Sequence, residues 1–188
     1  MLQGRGHHRP PPNTAPQRSF RIALPTRQQV GYAVRFALCM GLLIAAFSHW
    51  EPAFASLYLR PASSTAAAAL NLLGIDTALD TSCLPLGYCG LETVDRRYHV
   101  EYECTGIFYL FVFLGAVAAY PTSHRHRAWG VLGGIPAFFA LSTTRIIALV
   151  AIGHVVPSWL EFAHIYLMVL LNLGFLVFAL AIWANRRP

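Results

Sequence analysis

Long apolar blocks alternate with short polar, arginine-bearing connections along this chain. Roughly 20 apolar residues at about 1.5 Å rise cross a ~30 Å hydrocarbon core, and about four blocks are long enough to do so. They run from Val34 to Leu57, Cys104 to Tyr120, Ala128 to Val150 or a little beyond, and Trp159 to Trp183. A further stretch, Pro61 to Leu79 (PASSTAAAALNLLGIDTAL), carries Ser, Thr, Asn and Asp, which suits a helix lying against the outer face or packed among the others. Residues 80–103 (DTSCLPLGYCGLETVDRRYHVEYE) read as the main loop, with turn signals at Pro85, Gly87 and Gly90. Within it, Thr93 to Glu103 has the alternation and the β-branched or aromatic content of a short strand or hairpin edge. Residues 1–28 combine Pro, polar residues and Arg with little to bury, and read as a disordered cytoplasmic tail. The remainder, 29–188, reads as one transmembrane domain. The expected fold class is all-α: a polytopic integral membrane protein of about four transmembrane helices, one membrane-associated helix and a short extracytoplasmic loop.

Composition agrees. The chain of 188 residues is 56% hydrophobic and 12% charged, with a mean hydropathy of +0.49, too apolar for a soluble domain of this size. Charge then sets orientation, because arginines in short loops stay on the cytoplasmic side. Arg5, Arg9, Arg18, Arg21 and Arg27 precede the first block, Arg125 and Arg127 lie between the second and third, and Arg186 and Arg187 close the chain. This places both ends inside. Glu51, Asp76, Asp80, Glu92, Asp95, Glu101, Glu103 and Glu161 all fall in or beside outer segments. Topology accounts for the net charge of +6 without a nucleic-acid partner. Ala53-Phe54-Ala55 has the form of a signal-peptidase site, but the segment before the apolar run exceeds about thirty residues, long for a signal peptide. There is no internal repeat and no nucleotide-binding glycine motif, and no cofactor is expected.

Four side chains draw attention on chemical grounds. Cys104 sits where the loop enters the second block, and a helix N-terminus favours its thiolate while Glu101 and Glu103 oppose it. Arg145 lies inside the third block, where an arginine costs at least ~2.5 kcal/mol and is usually functional or paired. It stands 18 residues beyond Arg127, a rise of roughly 27 Å, which brings it to the depth of Cys104. His154, nine residues further on, points to the opposite helix face, whereas His164 descends at the start of the fourth block to a depth like that of Arg145. Cys83 and Cys89 can form a disulfide outside the cytoplasm or remain two thiols, and Cys39 reads as packing. A thiol, a guanidinium and an imidazole at one level suit acyl transfer: thiolate attack on a carbonyl, proton transfer to a leaving amine, and oxyanion stabilisation. A non-enzymatic assembly factor or transporter subunit, with Arg145 paired to Glu161 or lipid, is the rival reading. A metal site drawn from His49, His99, His154, His164 and Cys104 lacks tight ligand spacing, and no metal is expected.

These residues resemble a known family. Cys104-Thr105-Gly106 resembles the C-S-G element of the exosortase/archaeosortase family, Ser142-Thr143-Thr144-Arg145 resembles its N-x-x-R element, and His164 matches its later His. The order, the 41-residue separation of Cys104 from Arg145 and the placement on successive helix ends agree over residues 61–183. Thr105 stands for the usual Ser and Ser142 for the usual Asn, and the chain looks like a short-form member. The resemblance implies a membrane cysteine transpeptidase or protease with a Cys104, Arg145 and His164 site. It would cleave a C-terminal PEP-CTERM-like sorting signal, comprising a short motif, a transmembrane helix and a basic tail, from exported proteins and transfer them to a surface acceptor. It further implies a multi-pass protein of the bacterial plasma (inner) membrane, in contact with lipid, with its site on the extracytoplasmic side.

Overall fold

The computed structural model describes residues 26–186. The expected tail therefore lies outside the described residues except at its end, where Thr26 caps helix α1 (Arg27–His49). The Thr26 hydroxyl accepts from the Gln29 N–H and the Gln29 side chain accepts from the Thr26 N–H, a capping box that satisfies two free amides. α1 stops at Trp50, short of Leu57, because Pro52 opens a new helix in whose first turn a missing N–H costs nothing. That helix, α2 (residues 51–72), runs through Glu51–Phe54, a π-helical turn Ala55–Leu59 and Arg60–Leu72. It joins the end of the expected first block to most of the weaker stretch. Its buried face consists of Ala55, Tyr58, Leu59, Ala62, Ser63, Ala66, Ala67 and Leu70, mostly small residues at helical spacing that admit close packing. It ends at Gly74 (φ +83°), where Ile75 N–H reaches Leu70 C=O (3.0 Å) and Gly74 N–H reaches Asn71 C=O (3.1 Å), a Schellman cap.

The loop carries more order than one hairpin edge. β1 (Thr77–Asp80), β2 (Tyr88–Thr93) and β3 (Arg97–Glu101) form an antiparallel sheet in that order. Cys89 and Leu91 lie opposite Val100 and Tyr98, and this face turns inward. On the other face Arg97 pairs with Asp80 and, at 3.2 Å, with Glu92.

A single helical turn, α3 (Tyr102–Thr105), follows and breaks at Gly106 (φ +70°), after which α4 (Ile107–Ala119) begins. The expected second span thus starts at Ile107, and Cys104 sits on a separate turn before it. α5 (His124–Val155) and α6 (residues 160–185, with a π-helical turn at Ala163–Leu167) complete the chain. Arg27–His49, His124–Val155 and Pro157–Asn185 are long and apolar enough to cross a membrane, and α4 is a shorter apolar helix.

Aromatic contacts fix which ends meet. Tyr120 at the end of α4 packs on Tyr32 of α1 (6.2 Å) and Trp183 of α6 (5.6 Å), gathering the arginine-bearing segments at one end. At the other end Tyr102 donates to Glu51 C=O (2.9 Å) and His154 meets Asp95 (3.4 Å), so sheet and acids lie together. The polar contacts of α2, from Glu51 through Tyr58 to Asn71, belong to this sheet-bearing half, as befits a membrane-associated helix. Glycines allow the helices to close: Gly115 accepts Met40 and Phe36, and Gly134 accepts Phe113. With 13 residues, α4 rises about 20 Å while the antiparallel α5, with 32, rises about 48 Å from the same connection. The turn that carries Cys104 is therefore recessed below the top of α5 and roofed by the sheet, with Tyr98 lying against Gly153.

Candidate active site

Cys104 is held by the backbone on either side of it. The guanidinium of Arg145, 6% exposed, donates through Nη1 to the carbonyl of Glu103 (3.1 Å). One turn earlier on α5, the Ser142 hydroxyl bonds the carbonyl of Thr105. Tyr58 from the π-helical turn of α2 stands behind Ser142 at 2.8 Å. Each hydroxyl has one proton, so Tyr58 donates to Ser142 and Ser142 in turn to the main chain. Thr105 closes its own turn by donating to Tyr102 C=O (2.7 Å). The two carbonyls flanking Cys104 are thus clamped from one helix, and the thiol takes no part in that clamp.

Gly106 ends this turn in the left-handed region, and a β-carbon there would lie 3.1 Å from the Asn172 side chain. Gly106→Ala is expected to destabilise the protein by about 1–2 kcal/mol through the backbone alone. Thermal unfolding of the detergent-solubilised variant measures this, and an unchanged midpoint would contradict it.

A cavity of about 310 Å³ opens beside the turn. Cys104, half-buried, and His164, exposed, both line it, together with His99 of β3 and Glu161 at the start of α6. His164 lies in the wide π-helical turn Ala163–Leu167, a distortion frequent at functional sites. Arg145 does not line the cavity; it stands behind the turn, close enough for its charge to act on the thiol. His154 is engaged elsewhere, by Asp95. Arg145 makes no ion pair with Glu161 or any other carboxylate among the described residues, and its Nε has no hydrogen-bond partner.

Burial pushes the Cys104 thiol above its ordinary value; the Glu101 N–H and the Arg145 charge pull it back, and the carboxylates of Glu101 and Glu103 raise it further. The balance favours the neutral thiol. Cys83 and Cys89 are both free: Cys89 faces inward from β2, while Cys83 turns toward Ser82. Cys39 lies on α1, also unpaired.

Tyr58 and Asn172 carry no sequence signal that ties them to this site, whereas His99 and Glu161 enter the sequence reading only as a metal-ligand alternative and as a rival partner for Arg145. Tyr58 and Ser142 are 84 residues apart, with no local signal to join them. Asn172, 1% exposed on α6, lies against Gly106, and neither of its amide atoms has a hydrogen-bond partner. Its one sequence signal is an amide inside an otherwise apolar run.

The chain matches no curated protein and no solved structure. A family model, that of the transmembrane exosortases, matches residues 26–185, which takes in every helix of the bundle and the turn, cavity and clamp described above. The chain belongs to the transmembrane exosortase family.

Proposed function

We propose that this exosortase is a membrane-embedded cysteine transpeptidase or protease whose nucleophile is Cys104, with His164 as general acid and base and Arg145 as the stabiliser of the oxyanion or of the bound peptide. One observation carries the reading: Cys104 and His164 share a cavity, while the guanidinium of Arg145 grips the backbone of the cysteine's own turn. The substrate is an exported protein with a C-terminal PEP-CTERM-like sorting signal. His164 takes the thiol proton as sulfur attacks the scissile carbonyl. The C–N bond then breaks, the proton passes to the leaving amine, and the exported protein remains as a thioester on Cys104. An acceptor nucleophile at the extracytoplasmic surface attacks the thioester, its proton returns through His164, and the thiol is regenerated. Charge that builds on the carbonyl oxygen is offset by the guanidinium of Arg145 from behind the turn, a charge whose burial strengthens its field.

A reporter that ends in a short motif, an apolar helix and an Arg-rich tail, produced in a bacterium with and without this chain, tests the reading. It is expected to lose its tail only when the chain is present; an intact tail would count against it.

The raised thiol supports a base in this reading, because a nucleophile that is neutral at rest needs one, and His164 shares its cavity. In a Cys83→Ser background, alkylation of Cys104 by a membrane-impermeant maleimide is expected to quicken about tenfold per pH unit from 7 through the ordinary cysteine value of about 8.5. A plateau below that value would mean a preformed thiolate and would remove the need for a base.

A further inference from the structure

At the arginine-bearing end, far from Cys104, a trough of about 890 Å³ opens between α5 and α6 over Phe113 of α4. Arg125 and Arg186 stand at its mouth, both exposed, and neither forms an ion pair among the described residues. No Asp or Glu lines it. Below the mouth the walls are small on one side, Gly133 and Ala137, and aromatic on the other, Phe175 and Phe178. The mouth is braced: Trp183 Nε1 donates to His126 C=O (3.1 Å), and the two rings stack at 4.8 Å.

Length and charge select the occupant. From Arg125 to Ala137 along α5 the rise is about 18 Å, close to one leaflet of a ~30 Å hydrocarbon core. A crossing helix would need the full thickness, and the basic tail of a sorting signal would meet two arginines. A single acyl chain fits the depth, and an anionic headgroup fits the guanidinium pair.

We propose that this trough is a binding site for an anionic phospholipid, with its headgroup phosphate on Arg125 and Arg186 and an acyl chain lying along Gly133, Ala137, Phe175 and Phe178. Basic pockets between transmembrane helices on the cytoplasmic side hold such headgroups. The inference is independent of the catalytic reading, since the trough and the Cys104 cavity share no lining residue.

Native mass spectrometry of the delipidated, detergent-purified protein tests it with dioleoyl phosphatidylglycerol against dioleoyl phosphatidylcholine. Phosphatidylglycerol is expected to be retained more than tenfold over phosphatidylcholine, with Arg125→Gln and Arg186→Gln each lowering retention about fivefold. Gly133→Leu is a second probe, because a β-carbon at Gly133 meets no atom within 4 Å and the new side chain enters the trough without disturbing packed neighbours. It is expected to abolish the preference and leave thermal unfolding unchanged. Equal retention of the two lipids, or retention indifferent to Gly133→Leu, would overturn the proposal by assigning the surface to ordinary annular lipid. Displacement of phosphatidylglycerol by inorganic phosphate alone, or by an apolar helical peptide with a basic tail, would overturn it in favour of a simple anion or of substrate.

Discussion

Cys104→Ala is expected to lower sorting-signal cleavage by at least about a thousandfold while the protein accumulates in the membrane at its usual level. On the proposed mechanism the loss follows from removing the atom that would form the acyl bond, for which the remaining groups cannot substitute. Accumulation is expected because the turn is held by the carbonyls of Glu103 and Thr105, not by the thiol. Cys104→Ser should be equally inactive, since a hydroxyl in this place is a far weaker acid. Immunoblotting of the reporter beside the membrane fraction measures both quantities, and full processing by Cys104→Ala would remove Cys104 as nucleophile.

Arg145→Lys is expected to lower the turnover rate by about 10²–10³-fold, with a much smaller change in KM. Lysine keeps the positive charge but loses the planar fork, so all its N–H donors sit on one nitrogen and it cannot hold the Glu103 carbonyl with one nitrogen while another is aimed elsewhere. Arg145→Leu should be worse for another reason: it leaves that carbonyl without its donor and loosens the turn, so its loss mixes stability with catalysis. The lysine variant separates the two. If it cleaved at the rate of the parent, charge alone would suffice and the unpartnered Nε would have no role in the reaction.

The helices were readable because apolar blocks and arginine loops are long-range signals that survive local detail. Their breaks were less so. Trp50 lies in the short polar dip Ser48-His49-Trp50-Glu51-Pro52 between apolar stretches, and Gly106, a single glycine before an apolar run, takes up a left-handed backbone. Rise per residue along α5 put Arg145 at the level of Cys104, and the bond from Arg145 to Glu103 is what that arithmetic looks like in three dimensions. Helical phase set His154 on the face opposite Arg145 and depth favoured His164; in the structure His154 meets Asp95 and His164 lines the cavity. What stayed hidden depends on contacts between distant segments. Tyr58, in a π-helical turn of α2, bonds Ser142 84 residues away, and β1 joins the sheet by pairing with β2 across a loop whose turn signals at Pro85 and Gly87 do not name the partner strand. The second π-helical turn, at His164, is equally silent in the sequence, because nothing in AHIYL distinguishes a wide turn from an ordinary one.

The central claim is a covalent one, that the exported protein passes through a thioester on Cys104. Incubation of the reconstituted protein with a sorting-signal substrate, rapid acid quench, digestion and mass spectrometry of the peptide containing Cys104 test it directly. The account predicts the substrate's N-terminal product attached at Cys104 and released by neutral hydroxylamine. Cleavage of the substrate with that cysteine unmodified at every time point would contradict it.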